Sequence, residues 1–241
     1  MNEHWLIVIP ARLASSRLPE KPLQDLNGRP LIVRVYENLK PLLATGVKIV
    51  IACDAKKVAS VCEKYQLPWV MTSKQHESGT DRVFEVALKH KPIYVLNVQG
   101  DEPFANLEDL RRLTESLEQE KAIGIATLYY KSTDISRFFD ANLVKVVKSA
   151  SNRAIYFSRS PIPFGRDQSI SHFYQHLGVY AYKSEVLAKF CSLKKSSLEE
   201  LEKLEQLRAL ENDIPIKLVE AKNPSFGIDT PEDLDKARLI K

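Results

Sequence analysis

Short continuous apolar runs alternate with helical stretches along the first half of the chain, and this alternation constrains the fold more than any other feature. Trp5-Leu-Ile-Val-Ile9 carries no polar residue, as expected of a strand buried on both faces of a parallel sheet. Pro30 to about Ala44 predicts a helix that stops near Gly46, and Val47 to Ala52 predicts a second strand. Asp54 is placed to cap a helix reaching about Gln66. A short strand Trp69-Val70-Met71, a helix from Thr80 to about His90 and a strand Ile93 to Val98 follow. Asn106 then caps a helix from Leu107 to Glu120, before a strand from Ile123 to Tyr130. Strand and helix in this order imply a parallel sheet flanked by helices. Such sheets bind ligands at the carboxyl ends of their strands, which directs attention to the loops after Ile9, Met71 and Val98.

The texture changes near Leu143. Leu143 to Val147, Ala154 to Phe157 and Phe173 to Tyr182 read as strands without long helices between them, an antiparallel extension of the sheet. A helix from Ser197 to Glu211 and a strand from Ile216 to Glu220 are expected next. Thr230-Pro231-Glu232-Asp233 starts the last helix, with a capping residue, a proline in the first turn and acids facing the helix dipole. No repeat, linker or charge block divides the chain, so one domain over residues 1–241 is expected. Leu198, Leu201, Leu204, Leu207 and Leu210 recur every third residue, a stripe that drifts around a helix. Such a helix needs apolar neighbours on more than one side, from its own core or from a partner chain.

Lysine and arginine exceed the acids by 35 to 31, a net charge of +4. That excess suits an anionic substrate and does not argue for nucleic acid. No apolar run approaches the roughly 18 residues a membrane span needs. The start, Met1-Asn2-Glu3-His4, has no basic region, and the apolar run after it breaks at Pro10, which argues against a signal peptide. The three cysteines, Cys53, Cys62 and Cys191, have no metal spacing and read as reduced thiols of a cytosolic protein.

Three clusters carry the chemistry. Pro10-Ala-Arg12-Leu-Ala-Ser15-Ser-Arg17-Leu-Pro-Glu-Lys21-Pro22 puts two arginines, a lysine and two serines directly after the first strand, a composition that would hold a polyphosphate. It has no glycine, so it is not a Walker A loop. Gln99-Gly100-Asp101-Glu102-Pro103 sets acids beyond a buried strand, where they can hold a divalent metal against phosphates or cap the next helix. Asp229, between Gly227 and the start of the last helix, is a second metal carboxylate or a cap. His172 and His176 have i, i+4 spacing, but on a strand they stand about 13 Å apart and cannot share an ion.

The motif Ile9-Pro-Ala11-Arg12-x-x-Ser15-x-Arg17-Leu-Pro-x-Lys21-Pro-Leu resembles the signature of cytidylyltransferases that activate 2-keto sugar acids. Met71-Thr-Ser, Ser78-Gly79-Thr80-Asp81-Arg82, Asn97-Val-Gln99-Gly100-Asp101-Glu102-Pro103, Tyr156-Phe-Ser158-Arg159, His176-Leu-Gly178-Val-Tyr180-Ala-Tyr182, Leu204-Glu205-Gln206-Leu207-Arg208 and Ile228-Asp229-Thr-Pro-Glu-Asp-Leu234 follow in order. Together they cover nearly the whole chain and are similar to the 3-deoxy-manno-octulosonate cytidylyltransferase (CMP-Kdo synthetase) family. The resemblance implies a nucleotide-binding α/β fold, with a dimerisation extension around 150–200. It implies a cytoplasmic, Mg2+-dependent homodimer that joins CTP to the eight-carbon keto sugar acid Kdo for lipopolysaccharide biosynthesis, releasing pyrophosphate.

By the same resemblance Ala11, Arg12, Ser15, Arg17 and Lys21 hold the nucleotide, with Lys21 near the developing charge, and Asp101 and Asp229 carry Mg2+. Cytosine lies between the first loop and Ser78-Gly79-Thr80, a triplet that equally reads as a turn with Thr80 capping the helix. Gln99, which the resemblance also places at the nucleotide, matches the sugar side with Arg159, His176, Gly178, Tyr180, Glu205 and Gln206. An amino-substituted Kdo analogue or another 2-keto sugar acid is the alternative substrate; a binding protein on this fold and a metal-dependent glycosyltransferase are the competing classes. Two positions depart from the pattern. Glu20 stands where glycine is usual, and an acid there repels phosphates unless it turns to solvent or reaches the metal. Ser197 stands where proline is usual, but Ser196 and Glu199 still make a capping box.

Overall fold

The computed structural model describes residues 1–167, 169–224 and 226–240. The chain divides into two compact units, Met1–Leu107 with Ser225–Lys241, and Glu108–Pro224. In the first, β1 (Trp5–Ala11), β2 (Lys48–Cys53), β3 (Trp69–Met71) and β4 (Tyr94–Asn97) pair in parallel in the spatial order β4-β1-β2-β3. Register runs Leu6 to Lys48 on one side of β1 and Trp5 to Tyr94 on the other. Every residue of β1 is buried, which its unbroken apolar sequence requires of a central strand. The chain order reverses between β4 and β1, the crevice where doubly wound sheets take ligands.

Helix α1 (Leu31–Leu39) buries Leu31, Ile32, Val35 and Leu39. It stops earlier than expected: Pro41 tightens Lys40–Thr45 into a 3-10 turn, and Gly46, at φ 86°, closes it by donating to Leu43 O at 3.0 Å. Helix α2 (Lys56–Lys64) starts after Ala55 without a side-chain cap. Asp54 is therefore not the cap the sequence suggests; its carboxylate accepts from Leu13 N at 3.0 Å and Arg82 Nη2 at 3.1 Å instead. Helix α3 (Gly79–His90) is capped by Ser78, whose Oγ accepts from Asp81 N at 3.0 Å, and Thr80 is fully buried.

Helix α4 spans Leu107–Gln119, and its residues from Glu108 on open the second unit. There β5 (Ile125–Ser132), β6 (Lys145–Lys148), β7 (Ala154–Ser158), β8 (Phe173–Lys183) and β9 (Ile216–Glu220) form a mixed sheet. β9 pairs with β5 in parallel; β5 with β8, β8 with β6 and β6 with β7 are antiparallel, as the change of texture near Leu143 implied. The register of β8 slips between Leu177 and Tyr180, so Gly178 lies in a bulge. Thr127 Oγ1 lies against it, 3.2 Å from Leu177 O and 2.8 Å from Val179 O.

Helix α5 (Ser184–Ser192) follows β8 directly and was not expected. The long helix expected from Ser197 to Glu211 is instead two, α6 (Ser197–Glu202) and α7 (Leu207–Glu211), broken at Lys203 with φ 55°. The cause is the buried pair Glu199–Arg208, bound through two contacts at 2.8 and 2.6 Å. On one straight helix these side chains would lie about 13.5 Å apart on opposite faces. The break brings them together and removes the drifting leucine stripe: Leu204 and Leu207 are buried, Leu201 is exposed. Helix α8 (Pro231–Arg238) returns to the first unit with the expected cap, Thr230 and Asp233 bonding each other's backbone amides at 3.2 and 3.0 Å.

Candidate functional site

The carboxyl ends of β1 and β4 are brought close by Gly100. A Cβ there would lie 2.7 Å from Pro10 O, so only glycine lets the two strand ends approach. Over this crevice the segment after β1 lines a cavity of about 340 Å3 with Ala11, Arg12, Ser15, Arg17 and Lys21. Gly79, Gln99, Asp101 and Asp229 complete it. Of the Ser78-Gly79-Thr80 triplet only Gly79 reaches the cavity; Ser78 is occupied as a cap and Thr80 is interior.

Lys21 is the centre of the charge arrangement. Its Nζ lies 2.5 Å from Asp101 Oδ2 and 2.8 Å from Asp229 Oδ1, and Arg17 Nη2 is 3.1 Å from the same Asp229 oxygen. Burial alone would lower the pKa of the ammonium, but the two carboxylates outweigh it and hold the group above its usual value. Lys21 is a fixed positive charge. Asp229 is not spent as a cap, since Thr230 and Asp233 already cap α8. The backbone joins the two acid-bearing segments: Ile228 N donates to Asp101 O at 2.9 Å.

Arg12 reaches the loop before α3, where Nη2 donates to Glu77 O and lies 3.4 Å from His76 O; its Nε is buried without a hydrogen-bond partner. Ser15 Oγ is 3.4 Å from Leu18 N. Gln99 Nε2 donates to Asn97 Oδ1 at 3.2 Å, and Asn97 is fully buried. Glu20 turns away from the cavity and pairs with Lys57; its φ of 50° explains why glycine suits the position.

The remaining expected residues belong to the second unit. His176 and Tyr180 lie against each other on β8 with ring centroids 5.4 Å apart, and Phe157 meets His176 edge-on at 5.1 Å. Burial pushes the imidazole down to about 3, so His176 is neutral at ordinary pH. Burial, then the charge of Glu205, pushes the Tyr180 phenol well up. Gln206 is buried, with no hydrogen-bond partner at Nε2. Arg159 is engaged apart from these, its Nε on Glu202 O at 2.9 Å and Nη1 on Ala141 O at 3.0 Å. His172 meets Tyr174 rather than sharing an ion with His176.

Three supporting residues lie outside the expected site. Arg82 stands in the Ser78–Arg82 motif without an assigned role, and the sequence around Asp54 suggests a cap. Lys145 is fully buried, with Nζ on Asp140 O, Leu143 O and Arg159 O at 2.9, 2.8 and 2.5 Å. Among the described residues no cluster of three or more His, Cys, Asp or Glu could hold a metal unaided. The cysteines are free, with the buried Cys53 and Cys62 thiols pushed up to about 11 and about 12 by burial.

A cytidylyltransferase family model matches residues 6–218. The chain is 46% identical over 245 residues to a Wolinella succinogenes protein named 3-deoxy-manno-octulosonate cytidylyltransferase, covering 98% of each. It is 41% identical to a Neisseria meningitidis serogroup B protein of the same name, covering 98% of this chain and 97% of that one. Among solved structures, CMP:2-keto-3-deoxy-manno-octonic acid synthetase complexed with CTP superposes with a TM-score of 0.91 at 38% identity, over 97% of this chain and 96% of that one. A Bacillus anthracis protein described as a putative glucose-1-phosphate thymidylyltransferase, at 19% identity and TM-score 0.69, shares the fold.

Proposed function

The chain belongs to the 3-deoxy-manno-octulosonate cytidylyltransferase family, and from that membership we propose that it transfers CMP from CTP to the anomeric hydroxyl of Kdo, giving CMP-Kdo and pyrophosphate. The observation that carries the reading is the convergence of Asp101 and Asp229 on Lys21, beside Arg17, in a cavity at the sheet's switch point.

The anomeric hydroxyl oxygen attacks the α-phosphorus and gives up its proton to solvent, the bond from that phosphorus to the bridging oxygen breaks, and pyrophosphate departs. Positioning and charge neutralisation do most of this work. Arg12, Arg17 and Lys21 hold the phosphates, and the unpartnered Arg12 Nε is a donor waiting for an acceptor. Lys21, whose ammonium form the two carboxylates favour, stabilises developing negative charge. Asp101 and Asp229 fit Mg2+: two carboxylates suffice where phosphates and water complete the oxygen shell. When bound, the ion supplies charge neutralisation at the triphosphate. Gly79, whose backbone borders the cavity, reads the base edge; Arg159, His176, Gly178, Tyr180, Glu205 and Gln206 are assigned to the sugar acid.

A homodimer completes the reading. Ile155 and Phe164, 60% and 87% exposed, lie in the extension assigned to the partner contact. We place the reaction in the cytoplasm, supplying lipopolysaccharide assembly. Free cysteines support that placement, and among the described residues no helix is long and apolar enough to cross a membrane. Pyrophosphate release is the test, with CTP, UTP, ATP and GTP each offered against Kdo, its amino analogue and sialic acid. CTP with Kdo should be the productive pair; equal turnover of the four nucleotides would refute the assignment.

A further inference from the structure

Two neighbouring residues of the nucleotide loop are tied to α3, one through the segment before it and one through Asp54. Arg12 grips the segment before α3 through Glu77 O. The next residue, Leu13, gives its backbone amide to Asp54 Oδ1 at 3.0 Å. Asp54 Oδ2 in turn accepts from Arg82 Nη2 at 3.1 Å, and Arg82 belongs to the first turns of α3. Arg12, the start of α3, Arg82, Asp54 and Leu13 therefore close a ring through the two segments that line the cavity.

The ring is fixed from beneath. Arg82 is 1% exposed, and its other terminal nitrogen donates to Thr72 Oγ1. Thr72, itself buried, donates that hydroxyl proton to Cys53 O at 2.9 Å. The guanidinium thus ties the ends of β2 and β3 to α3 while holding the carboxylate that holds the loop. Its planar fork suits this task, because two donors leave it in fixed directions. A surface cap for α2 would need none of these partners.

We propose that Asp54 and Arg82 are a positioning pair for nucleotide binding: they fix the backbone of the loop at Leu13 against the start of α3, so that Arg12 and Gly79 face CTP at a set separation. The inference rests on the CTP reading above and adds to it residues that do not touch the nucleotide. Two neutral double variants test it. Asp54→Asn with Arg82→Met keeps an acceptor for Leu13 N and strands no buried charge. Asp54→Ala with Arg82→Met removes the acceptor under the same charge balance. Calorimetric titration with CTP should find the first within about fivefold of the parent and the second at least tenfold weaker than the first. KM for Kdo should stay within about threefold in both. Equal CTP affinity in the two folded doubles, or equal losses toward CTP and Kdo, would overturn the pair's role and leave only a structural brace. Should the alanine double not fold, Thr72→Val, which removes the hydroxyl under Arg82 and leaves Asp54 in place, should weaken CTP about threefold, and unchanged affinity overturns the proposal. A parent that binds no CTP would overturn the underlying reading as well.

Discussion

Arg82 in the first unit and Lys145 in the second are almost completely buried cations, and they are held by opposite means. In the first, Arg82 faces the carboxylate of Asp54 and the hydroxyl of Thr72. In the second, Lys145 gives its three donors to three backbone carbonyls and bonds no acid. Burial lowers the pKa of both, opposed by Asp54 for Arg82 and by the more distant Asp140 and Glu202 for Lys145. An ion pair depends on both partners, because losing one strands a buried charge. Carbonyls left without a donor are only dipoles. The first unit therefore has its nucleotide loop on a charge-matched scaffold, and the second has the backbone at Arg159 on a neutral one.

Removing each cation separates the two designs and gives the largest expected effects. Arg82→Met strands Asp54 and should reduce stability by about 3–5 kcal/mol. Lys145→Met fills the same space and strands only carbonyls, at about 1 kcal/mol each, partly offset by removing a desolvated charge, so about 2–3 kcal/mol is expected. Denaturant unfolding of the two variants measures the difference directly. A larger loss for Lys145→Met would reverse the comparison.

The charge matching of the first unit extends into the site. Arg17 and Lys21 face Asp101 and Asp229; asparagine matches aspartate in size and shape and Asp229 still faces Lys21, so Asp101→Asn should leave the fold intact and act on the chemistry. A loss of about 3–4 kcal/mol in the transition state means roughly 100- to 1,000-fold in rate. Asp229→Asn should lose a comparable amount. The double variant should lose less than the sum, since both acids act on the same charges. Folded single variants with turnover within threefold of the parent at saturating Mg2+ would remove both residues from the mechanism.

In the second unit His176 is buried against the rings of Phe157 and Tyr180. Its pKa of about 3 lies below the ordinary value of 6.5. Between those values the unfolded chain binds a proton that the folded chain does not, so stability rises with pH and falls on acidification. Each unit below pH 6.5 should cost the parent about 1.4 kcal/mol more than His176→Gln, which cannot titrate. Unfolding curves of both proteins from pH 6.5 to 4.5 test this. Parallel slopes would mean that His176 takes up a proton in the folded state.

Local residue chemistry made much of this molecule legible. The apolar runs at Trp5 and Ile216, the stop at Gly46, the Thr230 cap and the acids at Asp101 and Asp229 are all written in neighbouring residues. What stayed hidden depends on partners far along the chain. Asp54 looks like a cap until Arg82, 28 residues on, is seen beside it. The helix break at Lys203 follows from Glu199 meeting Arg208, and a periodicity of leucines cannot report that. Lys145 has only carbonyls for partners, and carbonyls have no sequence. The density of Arg12, Arg17 and Lys21 in one loop points to phosphate binding. That the charges of Arg17 and Lys21 are already matched by two acids is a property of the fold.

The smallest expected effect lies at Glu20, where the loop departs from its family's glycine. The residue takes φ 50°, a region that costs an L-residue roughly 1–2 kcal/mol and glycine little. Its carboxylate pairs with Lys57, the side chains being 46% and 65% exposed, and such a pair contributes about 0–1 kcal/mol. Glu20→Gly removes the strain and the pair together, while the unfolded chain gains freedom, so the three terms should cancel to within about 1 kcal/mol. Because the acid points to Lys57 and not into the cavity, affinity for CTP should change by less than threefold. A tenfold gain in affinity would show that Glu20 repels the phosphates, and that the scaffold beneath the loop leaves this turn free to swing toward them. A tenfold loss would instead make the Lys57 contact a working part of the loop, extending the charge-matched design of the first unit to its exposed rim.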